Sequence, residues 1–97
     1  MEREELLKLI ESKEVIGVDL SGQKLEKIDF TGCRIERTSF KGCELVHCRF
    51  RNAKISWSDF RYAEIQHGTF EGAEIEFSDF YRAFIDGVVI FSGSSFS

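Results

Sequence analysis

His47, His67, Cys33, Cys43 and Cys48 are the residues of this chain best suited to holding a metal or acting as nucleophiles. The histidines lie 20 residues apart, and the cysteines 10 and then 5 apart. A zinc site gathers four ligands from short paired motifs, and neither spacing is of that kind. No serine–histidine–aspartate set and no glycine-rich phosphate loop accompanies them. Whether these five side chains meet depends on the elements that carry them, and a second pattern sets those elements.

That pattern is a large apolar residue at every fifth position: Leu20, Leu25, Phe30, Ile35, Phe40, Leu45, Phe50, Ile55, Phe60, Ile65, Phe70, Ile75, Phe80, Ile85 and Ile90. On an α-helix, positions five apart would be turned by about 140° and would smear around the cylinder. On a flat strand an odd step alternates between faces. All 15 share one side only if the chain turns a corner every five residues in the same sense. Stacked coils of that kind form a β-solenoid around a continuous core.

Two residues before each large residue stands a mostly small one, as at Cys33, Thr38, Cys43, Cys48, Ala53, Ser58, Ala63, Gly68, Ala73, Ser78 and Ala83. An inward corner has room for little more, since the large side chains fill the axis. The blocks "DFTGC", "SFKGC", "RFRNA", "DFRYA" and "TFEGA" resemble the pentapeptide-repeat proteins, over roughly residues 16–92. The resemblance implies an all-β, right-handed quadrilateral parallel β-helix with 20 residues, or four pentapeptides, per coil. About four coils are then expected. The domain reading is a capping helix over 1–14, the β-helix over 15–92 and a tail over 93–97.

A ten-residue rhythm overlies the five. Phenylalanine takes positions 30 to 80 in steps of ten, and leucine or isoleucine the positions between. Phe then lines two opposite walls, and volume alternates around each core layer. Gly22, Gly32, Gly42 and Gly72 keep the same rhythm, where a type II turn needs positive φ. Lys27, Arg37, His47, Trp57, His67 and Phe77 occupy the other corners, so another turn type is expected there. His47 and His67 stack at one such corner, pointing outward while Cys48 points inward. The pair lacks further ligands, and the cysteines read as compact core residues. We expect no metal, no cofactor and no catalytic residue, and a barrel packed with Phe and Ile leaves no concave pocket.

The chain has 97 residues and no proline, which suits a backbone whose amides pair with the coils above and below. "MEREELLKLIE" reads as a short helix over residues 2–12 that lids the Leu20/Leu25 layer. It shows no signal-peptide core, and with no long apolar run and no disulfide pattern a cytoplasmic, non-membrane protein is expected. The other end looks unfinished. Phe84, Val89 and Phe91 take outward positions that are polar in most earlier repeats, and Phe96 follows in "SGSSFS". Either Phe91 and Phe96 fold back as a cap, or the last coil makes an end-to-end homodimer; the second reading is the one adopted.

The resemblance also points to relatives that protect DNA gyrase, a type II topoisomerase, by imitating duplex DNA. A phosphate mimic needs an unbroken negative stripe. Residues 34–61 carry seven basic and three acidic side chains, against five and eight over 1–33 and one and six over 62–97. A basic belt therefore interrupts the acidic rod, and no nucleic-acid partner is expected. The more promising surface is aromatic: Trp57 and Phe77 share a corner, with Tyr62 under Arg82 and Arg61 under Tyr81 as candidate cation–π pairs. The expected function is a non-catalytic module for protein–protein interaction or scaffolding, self-associating through its C-terminal coil, with an unidentified protein partner.

Overall fold

The computed structural model describes residues 1–87 and 89–97. Helix α1 (Arg3–Glu11) is followed by β1 (Glu14–Ile16), β2 (Lys24–Glu26), β3 (Arg34–Glu36), β4 (Glu44–Val46), β5 (Lys54–Ser56), β6 (Glu64–Gln66), β7 (Glu74–Glu76), β8 (Phe84–Asp86) and β9 (Ser95–Phe96). Each of β1 to β7 buries only its middle residue. A three-residue strand points one side chain inward and two outward, so a wall this short needs one apolar residue. That is the origin of the period of five.

The strands stack in parallel as two sheets, in the orders β1-β3-β5-β7-β9 and β2-β4-β6-β8. Register is 20 residues, as in Val15 on Ile35 on Ile55 and Leu25 on Leu45 on Ile65. The other two walls are columns of single bridges, Asp19–Ser39–Asp59–Asp79 and Asp29–Arg49–Thr69–Ile90. The result is a four-walled parallel β-helix of about four coils. Within it the phenylalanines form two ring stacks on opposite walls. Phe30, Phe50 and Phe70 follow at 4.7 Å, and Phe40, Phe60 and Phe80 at 4.6 Å. Rings of the two stacks meet edge to face, as Phe30 and Phe40 do at 5.7 Å and 82°. Both arrangements suit the aromatic quadrupole.

Two kinds of corner alternate, but not by the sign of φ. Gly22, Gly32, Gly42 and Gly72 have φ near +70°, as expected, and Lys27, Arg37, His47, Trp57, His67 and Phe77 are also left-handed, at φ 46 to 55°. What differs is the hydrogen bonding. After each Phe of the series the carbonyl accepts an N–H three residues on, as Phe30 does from Cys33 at 3.0 Å and Phe60 from Ala63 at 3.1 Å. Leu20, which stands in a Phe position of the first coil, does the same with Gln23 at 3.1 Å; among the described residues, no corner after Leu25, Ile35, Leu45, Ile55, Ile65 or Ile75 has such a bond. There the turn is held by pairing with neighbouring coils and, at Thr38, Ser58 and Ser78, by a hydroxyl that donates to the carbonyl two residues back.

A further regularity explains the residue before each Phe wall. Asp19, Asp29, Ser39, Asp59, Thr69 and Asp79 each accept, through a side-chain oxygen, the N–H two residues on. These are Asx and Ser/Thr turns, which fix the corner locally. Arg49 occupies the same position and has no such acceptor.

The ends differ. At the first, Leu6 of α1 is buried with Val15, Leu20 and Ile28. At the second, the fivefold series breaks. Phe91, not Ile90, continues the Phe30–Phe50–Phe70 stack, at 5.1 Å and 1° from Phe70. Thr69 pairs with Ile90, whereas Gln66 pairs with Asp86, so one extra residue lies between Asp86 and Ile90. Ile90 therefore leaves the core and is 43% exposed. Val89 and Phe91, expected outside, are half-buried and packed against the core. Phe96 pairs with Ile75, so the expected tail over 93–97 carries β9. Ile85 keeps its register on Ile65 but is 49% exposed, because no described layer follows it.

Candidate functional site

Three surfaces depart from the repeat. The first is the corner column Lys27, His47 and His67. Left-handed φ at all three turns their side chains outward, and the two imidazoles stack at 5.3 Å and 19°. The His67 ring lies over Gly87, where an added Cβ would fall 2.3 Å from Cε1, so glycine makes room for it. Beside this column runs the bridge column Asp29, Arg49 and Thr69, and between them lies a groove of about 780 Å³, bounded at its lower end by Ile90. The expectation that the barrel offers no concavity is thus corrected: the inside is filled, but the outer wall is hollowed at this corner. Among the described residues no three His, Cys, Asp or Glu side chains gather as metal ligands do.

Charge in the groove is lopsided. Asp29 Oδ1 accepts both the N–H and the hydroxyl of Thr31, on the far side from the histidines. Those bonds, the hydroxyl's foremost, hold its carboxyl below the usual range despite partial burial. Among the described residues Lys27 and Arg49 form no ion pair, whereas Arg34, Arg51 and Arg61 all do.

The cysteines lie elsewhere. Cys33, Cys43 and Cys48 are buried free thiols at the small inward position. The Cys43 thiol donates to the Leu20 carbonyl at 2.9 Å and the Cys48 thiol to that of Leu25 at 3.2 Å. Burial pushes all three thiols up, Cys43 to about 11. A nucleophilic or ligating sulfur needs the thiolate, which this core disfavours.

The second surface is aromatic. Trp57 and Phe77 stack at 4.6 Å and 14°, and both are more than half exposed. The expected pairs of Tyr62 with Arg82 and of Arg61 with Tyr81 are replaced by other contacts. Arg82 lies 5.4 Å from the centre of its neighbour Tyr81, Tyr62 meets Tyr81 edge-on at 6.0 Å, and Arg61 grips Asp59 at 2.7 and 3.0 Å. A bidentate carboxylate two residues away outcompetes a ring face for a guanidinium.

The third surface is the C-terminal end of the barrel. Phe84, Ile85 and Phe96 are 60, 49 and 56% exposed, beside half-buried Phe80, Val89 and Phe91. Phe96 does approach Phe80 and Phe91, at 6.0 and 5.9 Å, but leaves the face open. β8 and β9 are the last strands of their sheets, so their lower edges have no described partner.

The class these features define is a short quadrilateral β-solenoid with a lid at one end. Residues 14–88 match the family described as pentapeptide repeat region, and the chain belongs to that family. No curated protein sequence matches it. Among solved structures it is similar to HetL, a pentapeptide repeat protein involved in heterocyst differentiation regulation from the cyanobacterium Nostoc, with 17% identity and a TM-score of 0.50 over 84% of this chain and 38% of HetL. A pentapeptide repeat protein from the Arabidopsis thaliana thylakoid lumen matches at 25% identity and TM-score 0.41, over 84% of this chain and 61% of that one. Rfr23 from the cyanobacterium Cyanothece matches at 12% and 0.43, over 95 and 92%. The chain spans about two-fifths of the length of HetL.

Proposed function

We propose that the chain is a non-catalytic interaction module that self-associates end to end through its last coil. The observation that carries this reading is the contrast between the two ends. Leu20, under the helix, is fully buried, while Ile85 at the other end is 49% exposed in the same kind of position. A second copy placed against that face would cover matching apolar surfaces on both and offer partners to both strand edges. The rod is 22 by 21 Å across, so each copy contributes an end face of about 450 Å², below the ~800 Å² per partner of a standard interface. The expected dimer is a dissociable one, in the micromolar range. Residues 71–97 hold five acidic side chains and one basic, so like charges face each other and added salt should tighten the contact.

Sedimentation velocity over a concentration series tests this. We expect a monomer–dimer equilibrium that Ile85→Asp or Phe96→Asp abolishes; a monomer at every concentration and salt would overturn the reading. The competing idea, duplex imitation toward a topoisomerase, meets the column Glu14, Arg34, Lys54 and Glu74, in which acidic and basic residues share one line. Inhibition in a gyrase supercoiling assay would reinstate it.

A further inference from the structure

We propose that the groove between the Lys27–His47–His67 corner and Arg49 is a binding site for a phosphate-bearing anion. It lies on a side wall, so the proposal is independent of any contact made by the barrel end. Its first support is Arg49 itself. Six other residues at that position in the repeat are Asp, Ser or Thr, and each braces its corner by accepting the N–H two residues on. Arg49 forgoes that bond. A local rule broken without a local gain marks a position kept for another purpose.

The second support is what faces Arg49. Lys27, His47 and His67 form one column, and Arg49 and Thr69 the next, so four nitrogen-bearing side chains and a hydroxyl line one concavity. Thr69 Oγ1 accepts the Glu71 N–H at 3.0 Å, which leaves the hydroxyl proton to donate. The one carboxylate at the rim, Asp29, is turned toward Thr31 on the far corner. Among the described residues neither Lys27 nor Arg49 has a carboxylate within 4.0 Å, although Asp29, next to Arg49 in the bridge column, attracts it at longer range. An anion seated here meets a guanidinium, an ammonium and the imidazole of His47, a donor set that suits the oxygens of a phosphate. At about 780 Å³ the open groove has room for free phosphate, and a mononucleotide is the larger candidate of the same chemistry.

The chain holds two histidines, both in the groove, and one tryptophan on another corner. Proton NMR can therefore follow the His47 and His67 Hε1 signals as reporters and the Trp57 indole N–H as control. Inorganic phosphate, AMP and adenosine are titrated at fixed pH and ionic strength. We expect saturable movement of both histidine signals with phosphate and AMP, none with adenosine and none at Trp57. Tighter binding of AMP than of phosphate identifies a nucleotide as the source, and equal binding identifies the free anion. Arg49→Thr separates binding from folding, because threonine restores the corner's own hydrogen bond. This variant should melt at or above the parent's temperature while binding phosphate at least tenfold more weakly. Histidine signals that ignore phosphate and AMP, or an Arg49→Thr variant that binds as the parent does, would overturn the proposal.

Discussion

Gly42 has φ +68° and nothing within 4 Å of where a Cβ would stand, so replacing it tests the corner backbone without a steric clash. Gly42→Ala should cost about 1 kcal/mol, the price of a left-handed L-residue, as read from the urea midpoint. The chain accepts such strain at Trp57 and Phe77, whose exposed rings stack on one another. The cysteines supply a second expectation. In the unfolded chain a thiol ionises near 9.0, while folded Cys43 holds its proton to about 11. Between those values the native state binds more protons than the unfolded one, so stability falls as pH rises through that window. A melting series from pH 8 to 11 should show the decline, and Cys43→Ala should make it shallower, the rest belonging to Cys33 and Cys48. The small inward residues were legible in the sequence because packing admits nothing else. The Asp, Ser and Thr turns were just as regular, but their role rests on side-chain hydrogen bonds that hydrophobic spacing does not reveal.

Among the elements of the described residues, α1 is the one without a copy elsewhere. It is nine residues long, too short to persist alone in water, so it is held by packing. Leu6 is 1% exposed against the first layer, and Leu6→Ala should cost about 2–4 kcal/mol. Chemical denaturation would measure it, and a loss below ~1 kcal/mol would mean the lid is not needed. Phe50 stacks between Phe30 and Phe70, and Phe50→Ala should cost about 3–5 kcal/mol. The walls could be read from spacing alone because stacked coils repeat one environment. Reading failed where the environment changed: Ile90 kept the count of five while the chain had gained a residue, and apolar Phe91 beside it could satisfy the core equally well. Two neighbouring apolar residues leave register ambiguous, and only the ring stack on Phe70 resolves it.

For the whole molecule, the contrast between the ends predicts a gradient of stability. Amide exchange should be slowest in the Val15 to Phe60 coils and fastest beyond Phe80, and it should slow in the last coil as protein concentration rises. Fast exchange there at every concentration would count against self-association. The candidate sites were only half legible. Trp57 and Phe77 announced themselves by a repeat of 20, as did the two histidines, whereas the groove depends on how Arg49, Gly68 and Ile90 shape one wall. The stacking has a mechanical consequence as well. Bonds such as Phe30 N–H to Arg49 O and Phe50 N–H to Thr69 O join one coil to the next and so run along the rod. Tension applied to the two termini would load them one coil at a time, as a zipper opens. In an optical trap the rod should peel at low force from its open end, in steps of one 20-residue coil, each releasing about 70 Å of chain.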